Sequence, residues 1–266
     1  MPLQGSGPSS GEPTDMHILL TNDDGIEAPG LAAMYSELMD LGRVTVVAPS
    51  SARSGAGHSI SLDPVFCRPV DLPGRFAGTS VDGTPADCVK LALNHLLGPD
   101  EPVDLVVAGI NHGANVGVHV YYSGTVAAAM EAAFHGVPAI AISAAYEDSI
   151  NVAGAARHAR SILRHLLPLD PGDLVNLNIP ALSQAPPKGV RIVPHAASGF
   201  REAYATRRAD DGRTLFQFTA GWPPDADEIA GTDTYYLAEG YITLSALRID
   251  MNDPDRNDRL RKRLDR

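Results

Sequence analysis

Asn22, Asp23, Asp24 and Gly25 follow directly on the apolar run Ile18-Leu19-Leu20-Thr21. Two adjacent carboxylates repel and raise each other's pKa. A bound hard cation removes that cost, and carboxylate oxygens suit divalent ions such as Mg²⁺ and Mn²⁺. Neighbouring residues on an extended strand face opposite ways. For both to reach one ion the chain must leave β geometry, and Gly25 permits that. The plainer alternative is a solvated turn and helix cap, since Asn-Asp-Asp-Gly is also good turn chemistry.

Three further groups carry chemistry. Residues 50–61 read Ser-Ser-Ala-Arg-Ser-Gly-Ala-Gly-His-Ser-Ile-Ser. Small residues there let the backbone approach a ligand, and hydroxyls bind metal or phosphate. Alone, the segment reads more simply as a surface loop. His58 is a candidate proton donor, although a lone His is more often structural. Residues 109–117 read Gly-Ile-Asn-His-Gly-Ala-Asn-Val-Gly. Asn111 would present a neutral oxygen to a hard cation. Ser123-Gly124-Thr125 opens a helical pattern, where exposed N–H groups and the dipole favour an anion; a simple N-cap is the alternative for Ser123. Together, the Asp pair, hydroxyls, an Asn and a phosphate-friendly helix start describe a metal-dependent phosphoester site.

Other chemistries lack their residues. The first turn has no G-x-G-x-x-G, so a nicotinamide cofactor is not expected. No lysine lies in the four loops, which removes a P-loop and a receiver-type phosphoacceptor. The first strand has no Asp-x-Asp, and the G-x-S-x-G at residues 7–11 follows no apolar run, so it makes no nucleophile elbow.

These residues need a scaffold. Near-continuous apolar runs at 17–21, 43–48, 104–108 and 139–143 predict parallel strands covered on both faces. Helical patterns at 31–41, 85–97, 124–135 and 152–167 alternate with them. Thr84 and Asp87 form a capping box with Pro85 at the first helical position. The alternation predicts an α/β, Rossmann-like, doubly wound, mostly parallel sheet. Further strands are expected at 175–178, 190–194 and 241–249, a hairpin at 200–218 around Asp211-Gly212, a loop at 221–233 and a polar helix at 253–266. Residues 1–14 read as a disordered extension, 15–195 as the metal- and phosphate-binding core, and 196–266 as a smaller β-rich and helical oligomerisation region.

The 266 residues are 44% hydrophobic and carry a net charge of -11. That balance argues against gripping polymeric nucleic acid. The two cysteines, Cys67 and Cys88, form no disulfide framework. No run is long enough to cross a bilayer and no signal peptide opens the chain, so a cytoplasmic protein is expected.

Residues 18–25 (ILLTNDDG), 48–60 (APSSARSGAGHSI), 83–90 (GTPADCVK), 109–117 (GINHGANVG) and 123–131 (SGTVAAAME) resemble the SurE (survival protein E) nucleotidases. The resemblance implies one divalent metal ion, Mg²⁺ or Mn²⁺, per subunit, held by Asp23, Asp24, Ser54 and Asn111. It implies catalytic roles for Asp23, Asp24 and Asn111, and phosphate contacts from Ser123, Gly124 and Thr125, with Asn115 near the substrate. Thr232-Asp233 matches the family's Thr-Asp. Where some members have a His shortly after it, this chain has Tyr235 and Tyr236. The implied activity is hydrolysis of nucleoside 5′- and 3′-monophosphates by metal-activated water, with short polyphosphate as a further substrate. The implied assembly is a homodimer or a dimer of dimers. A non-catalytic nucleotide sensor and a metal-dependent glycosyltransferase are the rival readings.

Overall fold

The computed structural model describes residues 16–197, 201–222 and 229–265. The extension expected at 1–14 lies outside them. The strands in chain order are β1 (His17–Thr21), β2 (Arg43–Pro49), β3 (Cys67–Leu72), β4 (Phe76–Val81), β5 (Leu105–His112), β6 (Ala139–Ala144), β7 (Leu174–Ile179), β8 (Val190–Ile192), β9 (Arg201–Arg208), β10 (Thr214–Trp222) and β11 (Ile242–Leu247). Nine of them form one sheet in the order β3-β4-β2-β1-β5-β6-β7-β11-β8. The pairs from β4 through β7 are parallel, whereas β3–β4 and β11–β7 are antiparallel.

All five residues of β1 are buried, and the alternation of its side chains divides the core. Ile18 and Leu20, with Leu105 and Val107 of β5, pack against α1 (Pro29–Leu38) and α4 (Val152–Leu166). Leu19, with Val106 and Ala108, faces α2 (Pro85–Leu91) and α3 (Gly124–Phe134). Helices thus cover both faces, the Rossmann-like, doubly wound arrangement, and this is why the strands read as unbroken apolar runs.

Several local expectations shift. The helix expected at 85–97 is α-helical only to Leu91 and continues as a wider π-helical turn over Ala92–Leu96. The β3–β4 hairpin was not legible: β3 is an edge strand, largely exposed, and contains Pro69. A short 3₁₀ turn, Gly117–Tyr121, precedes α3. The loop expected at 221–233 gives way at its end to α5 (Asp233–Ala238); residues 223–228 lie outside the described ones. The hairpin expected at 200–218, whose first residue is also outside, is the separate antiparallel pair β9–β10. β11 comes from beyond residue 196 yet sits inside the main sheet between β7 and β8, so the sheet draws on both sides of the expected 195/196 boundary. The terminal helix α6 (Pro254–Leu264) buries no residue. Among the described residues no helix is long and apolar enough to cross a membrane.

Candidate active site

The four loops meet at the carboxyl ends of β1, β2 and β5, where open α/β sheets place their ligands. Asn22 closes the first turn on itself. Its Nδ2 donates to Gly25 O at 2.9 Å, and its Oδ1 accepts the Gly25 N–H at 3.2 Å. Gly25 takes a φ of +101°, and a Cβ there would lie 3.2 Å from the Ser51 carbonyl carbon. The chain therefore leaves β geometry after β1, as a shared ligand site requires.

Asp23 lies under the start of α3. Its Oδ1 accepts the Thr125 hydroxyl at 2.5 Å. A Cβ on Gly124 would stand 2.9 Å from Asp23 Cβ and 3.1 Å from its Oδ2, so only glycine allows this approach. Burial pushes the Asp23 carboxyl up from 3.8 to about 6. The Thr125 bond pulls the other way, and the neighbouring Asp24 charge adds to the rise. Asp24 Oδ2 accepts the main-chain N–H of His112 at 3.2 Å.

Asn111 follows an irregularity in the β5–β6 pairing between Ala108 and Asn111. Gly109 has a φ of +142° there, and a Cβ would meet Ile142 O at 2.3 Å. Asn111 Nδ2 donates to Gly113 O at 2.7 Å, which leaves the amide oxygen as the end to offer a cation. Residues 50–57 join the two sides of the site: Arg53 N–H donates to Asp23 O at 2.8 Å, and Gly57 N–H to Tyr122 O at 3.0 Å. Ser54, next to Arg53, is exposed on this loop. The two carboxylates, the amide oxygen and the hydroxyl expected as ligands are all oxygen donors. Such a set fits Mg²⁺ or Mn²⁺ better than zinc, and the buried, charge-crowded Asp23 is a carboxylate that a cation would relieve.

Both hydroxyls expected to contact phosphate have other partners. Ser123 Oγ accepts the Val126 N–H at 3.1 Å and caps α3, which is the simpler of its two sequence readings. Thr125 is committed to Asp23. The N–H groups of Gly124 and Thr125, at the start of α3, belong to the kind of helix terminus that suits an anion.

The family model described as survival protein SurE matches residues 18–202. The chain belongs to the SurE family. It is 42% identical over 244 residues to the 5′-nucleotidase SurE of Rhodopirellula baltica, covering 90% of this chain and 95% of that relative. It is 42% identical over 240 residues to the 5′-nucleotidase SurE of Desulfitobacterium hafniense, covering 90% and 93%. The crystal structure of the SurE protein from Aquifex aeolicus superposes with a TM-score of 0.80 at 33% identity, covering 94% of this chain and 100% of that one.

Around the loops of this SurE chain stand supports whose partners the sequence reading did not identify. Asn115 is held in a buried polar network. Its N–H donates to Asn178 Oδ1 and its Nδ2 to Ser143 Oγ, both at 2.8 Å, and its carbonyl accepts Nδ2 of Asn176 at 2.8 Å. Two asparagines at alternate positions of the apolar strand β7 were the available signal, since buried amides need partners. Asp233, fully buried, accepts N–H groups of Gly117 at 3.1 Å, Ala196 at 2.9 Å and Thr234 at 2.7 Å, and so clamps three segments. Tyr235 packs edge-on against Tyr236 at 5.2 Å.

His58 is tied to Glu131, about two turns along α3 from its start. Its Nε2 lies 2.8 Å from Glu131 Oε2, and its ring stacks on Phe134 at 5.3 Å. Glu131 also holds Lys90 Nζ at 3.0 Å and His135 Nε2 at 3.3 Å. Burial works to raise the Glu131 carboxyl, but the bonds and charges of His58 and Lys90 hold it below the usual range. These contacts anchor the loop carrying Ser54, on which His58 is the candidate proton donor considered from sequence, to α3. Their signal was a single acid in an otherwise apolar helix.

Proposed function

We propose that this SurE chain is a divalent-metal-dependent phosphomonoesterase that releases phosphate from nucleoside 5′- and 3′-monophosphates and from short polyphosphate. The observation that carries the reading is the packing of Asp23 under the first turn of α3, through Thr125 and Gly124, with Asp24 bonded at His112 beside Asn111. It joins a cation-attracting group to an anion-attracting one. The activity for which the two relatives are named, 5′-nucleotidase, supports the same substrate class.

Asp23, Asp24, Ser54 and Asn111 would hold one Mg²⁺ or Mn²⁺ per subunit. When bound, the ion would polarise the phosphoryl group and lower the pKa of an attacking water. Thr125 orients Asp23 through its hydroxyl. The N–H groups of α3 at Gly124 and Thr125 receive the phosphate oxygens and stabilise charge that grows in the transition state. The capping bond of Ser123 gives that residue a structural task and leaves the attack to water. The separate β9–β10 pair and the fully exposed α6 form contacts between subunits of a homodimer or a dimer of dimers, and the enzyme works in the cytoplasm.

The test is phosphate release from a panel of 5′- and 3′-mononucleotides and short polyphosphate, with Mn²⁺ and with EDTA. Metal-dependent release supports the reading. Nucleotide binding without release would show a sensor, and no reaction on any panel member would refute the substrate class.

A further inference from the structure

Building on the nucleotidase reading, we propose that the stacked rings of His112 and Tyr146 form the platform on which the base of the substrate lies. The main-chain N–H of His112 donates to Asp24 Oδ2 at 3.2 Å, so its ring begins one residue from Asn111 and beside a metal-site carboxylate. The register of β5 and β6 pairs Asn111 with Ser143 and His112 with Ala144, which brings the loop after β6 alongside the site.

The platform is fixed from below. His112 Nε2 lies 3.0 Å from Glu147 O. The Glu147 carboxylate in turn accepts the N–H groups of Leu182 at 3.2 Å and Ser183 at 2.9 Å, after β7. The imidazole and phenol rings stand 4.8 Å apart and 5° from parallel. Their outer surface is nevertheless open, since Tyr146 is 70% exposed. A held, flat and solvent-facing aromatic pair at the rim of a phosphate site offers a stacking surface. Stacking accepts every base, because each has a π face. The platform therefore gives affinity for nucleotides over plain sugar phosphates, with little choice among bases.

Competing exposed rings include Tyr121 and Tyr122, at 59% and 58%, and Phe66, at 78%, which lines a cavity with Ser50 but stacks on no ring among the described residues. Tyr121 faces His195 edge-on at 6.2 Å, in a cavity lined also by Met130 and Leu247. Among the described residues, the His112–Tyr146 pair alone joins a flat stack to a hydrogen bond from one of its own residues onto the Asp pair.

The experiment compares adenosine 5′-monophosphate with ribose 5-phosphate as substrates, and measures adenosine binding by calorimetry. Tyr146→Ala should lower the preference in kcat/KM for the nucleotide over the sugar phosphate about tenfold, mostly through KM. Adenosine binding should weaken in parallel, and Tyr146→Phe should retain both. An unchanged preference, an equal loss on both substrates, or the loss appearing in Tyr122→Ala instead would overturn the platform. If wild-type protein releases phosphate from neither compound, the nucleotidase reading has failed. Adenosine calorimetry then still decides: binding that Tyr146→Ala removes supports the platform, and no binding by wild type overturns it.

Discussion

Replacing Asp23 by Asn should make the metal-free protein more stable while removing its response to metal. The folded carboxyl keeps its proton up to about pH 6, whereas its ordinary value is 3.8, because burial disfavours the charge. The folded state therefore binds more proton than the unfolded one between those values. Stability from this site is complete below 3.8 and is lost as pH rises through about 6. A gap of about two pH units corresponds to roughly 3 kcal/mol by pH 8. An amide has no charge to lose, and its Oδ1 still accepts the Thr125 hydroxyl. In EDTA, Asp23→Asn should match wild type near pH 4 and exceed it by about 3 kcal/mol at pH 8 in urea unfolding. Added Mn²⁺ should stabilise wild type by mass action and leave the variant unmoved. A variant less stable than wild type at pH 8 in EDTA, or one that Mn²⁺ still stabilises, would refute the account of a strained, cation-seeking carboxylate.

Glu131→Gln leaves His58, Lys90 and His135 without their shared anion, at a side chain only 5% exposed. Stability should fall by about 2 kcal/mol, read as a Tm lowered by roughly 4–8 °C in scanning calorimetry, and half-saturating Mn²⁺ should rise as the loop of Ser54 loosens; an unchanged Tm would deny the clamp. Ser123→Ala removes a helix cap and should lower stability by about 1 kcal/mol, with a partial loss of kcat/KM on a mononucleotide. A phosphoserine trapped at Ser123 by acid quench would overturn water attack. Tyr204, Phe216 and Phe218 on β9–β10 are more than half exposed, so light scattering should give at least twice the 28.1 kDa of one chain. A monomer at micromolar concentration would remove the proposed subunit contacts.

The site loops were legible because each follows a buried strand or opens a buried helix, and those signals are local. The alternating faces of β1 and the cap at Ser123 need only a few neighbouring residues to be seen. The Asp23–Thr125 bond joins residues 102 apart in sequence, so the sequence showed both groups but not that one orients the other. Glu131 and Asp233 were read too lightly for the same reason: their partners lie 73 and 116 residues away. β3 hid behind exposed polar residues and a proline, and the place of β11 in the sheet follows from packing against β7, which no periodicity encodes.

The position of β11 also sets an order of events during synthesis. β7 ends at Ile179, and its outer partner begins at Ile242. At roughly 5–20 residues per second, the ribosome delivers that partner several seconds later. Until then β7 offers a row of unpaired backbone groups, and β8, already made, has no strand to join. An unpaired edge of this kind is a template for association with other chains. A chain cut after residue 202, where the family match ends, would carry every loop of the site and still keep that edge open. Its failure would appear as aggregation of nascent or truncated protein, before any question of catalysis arises.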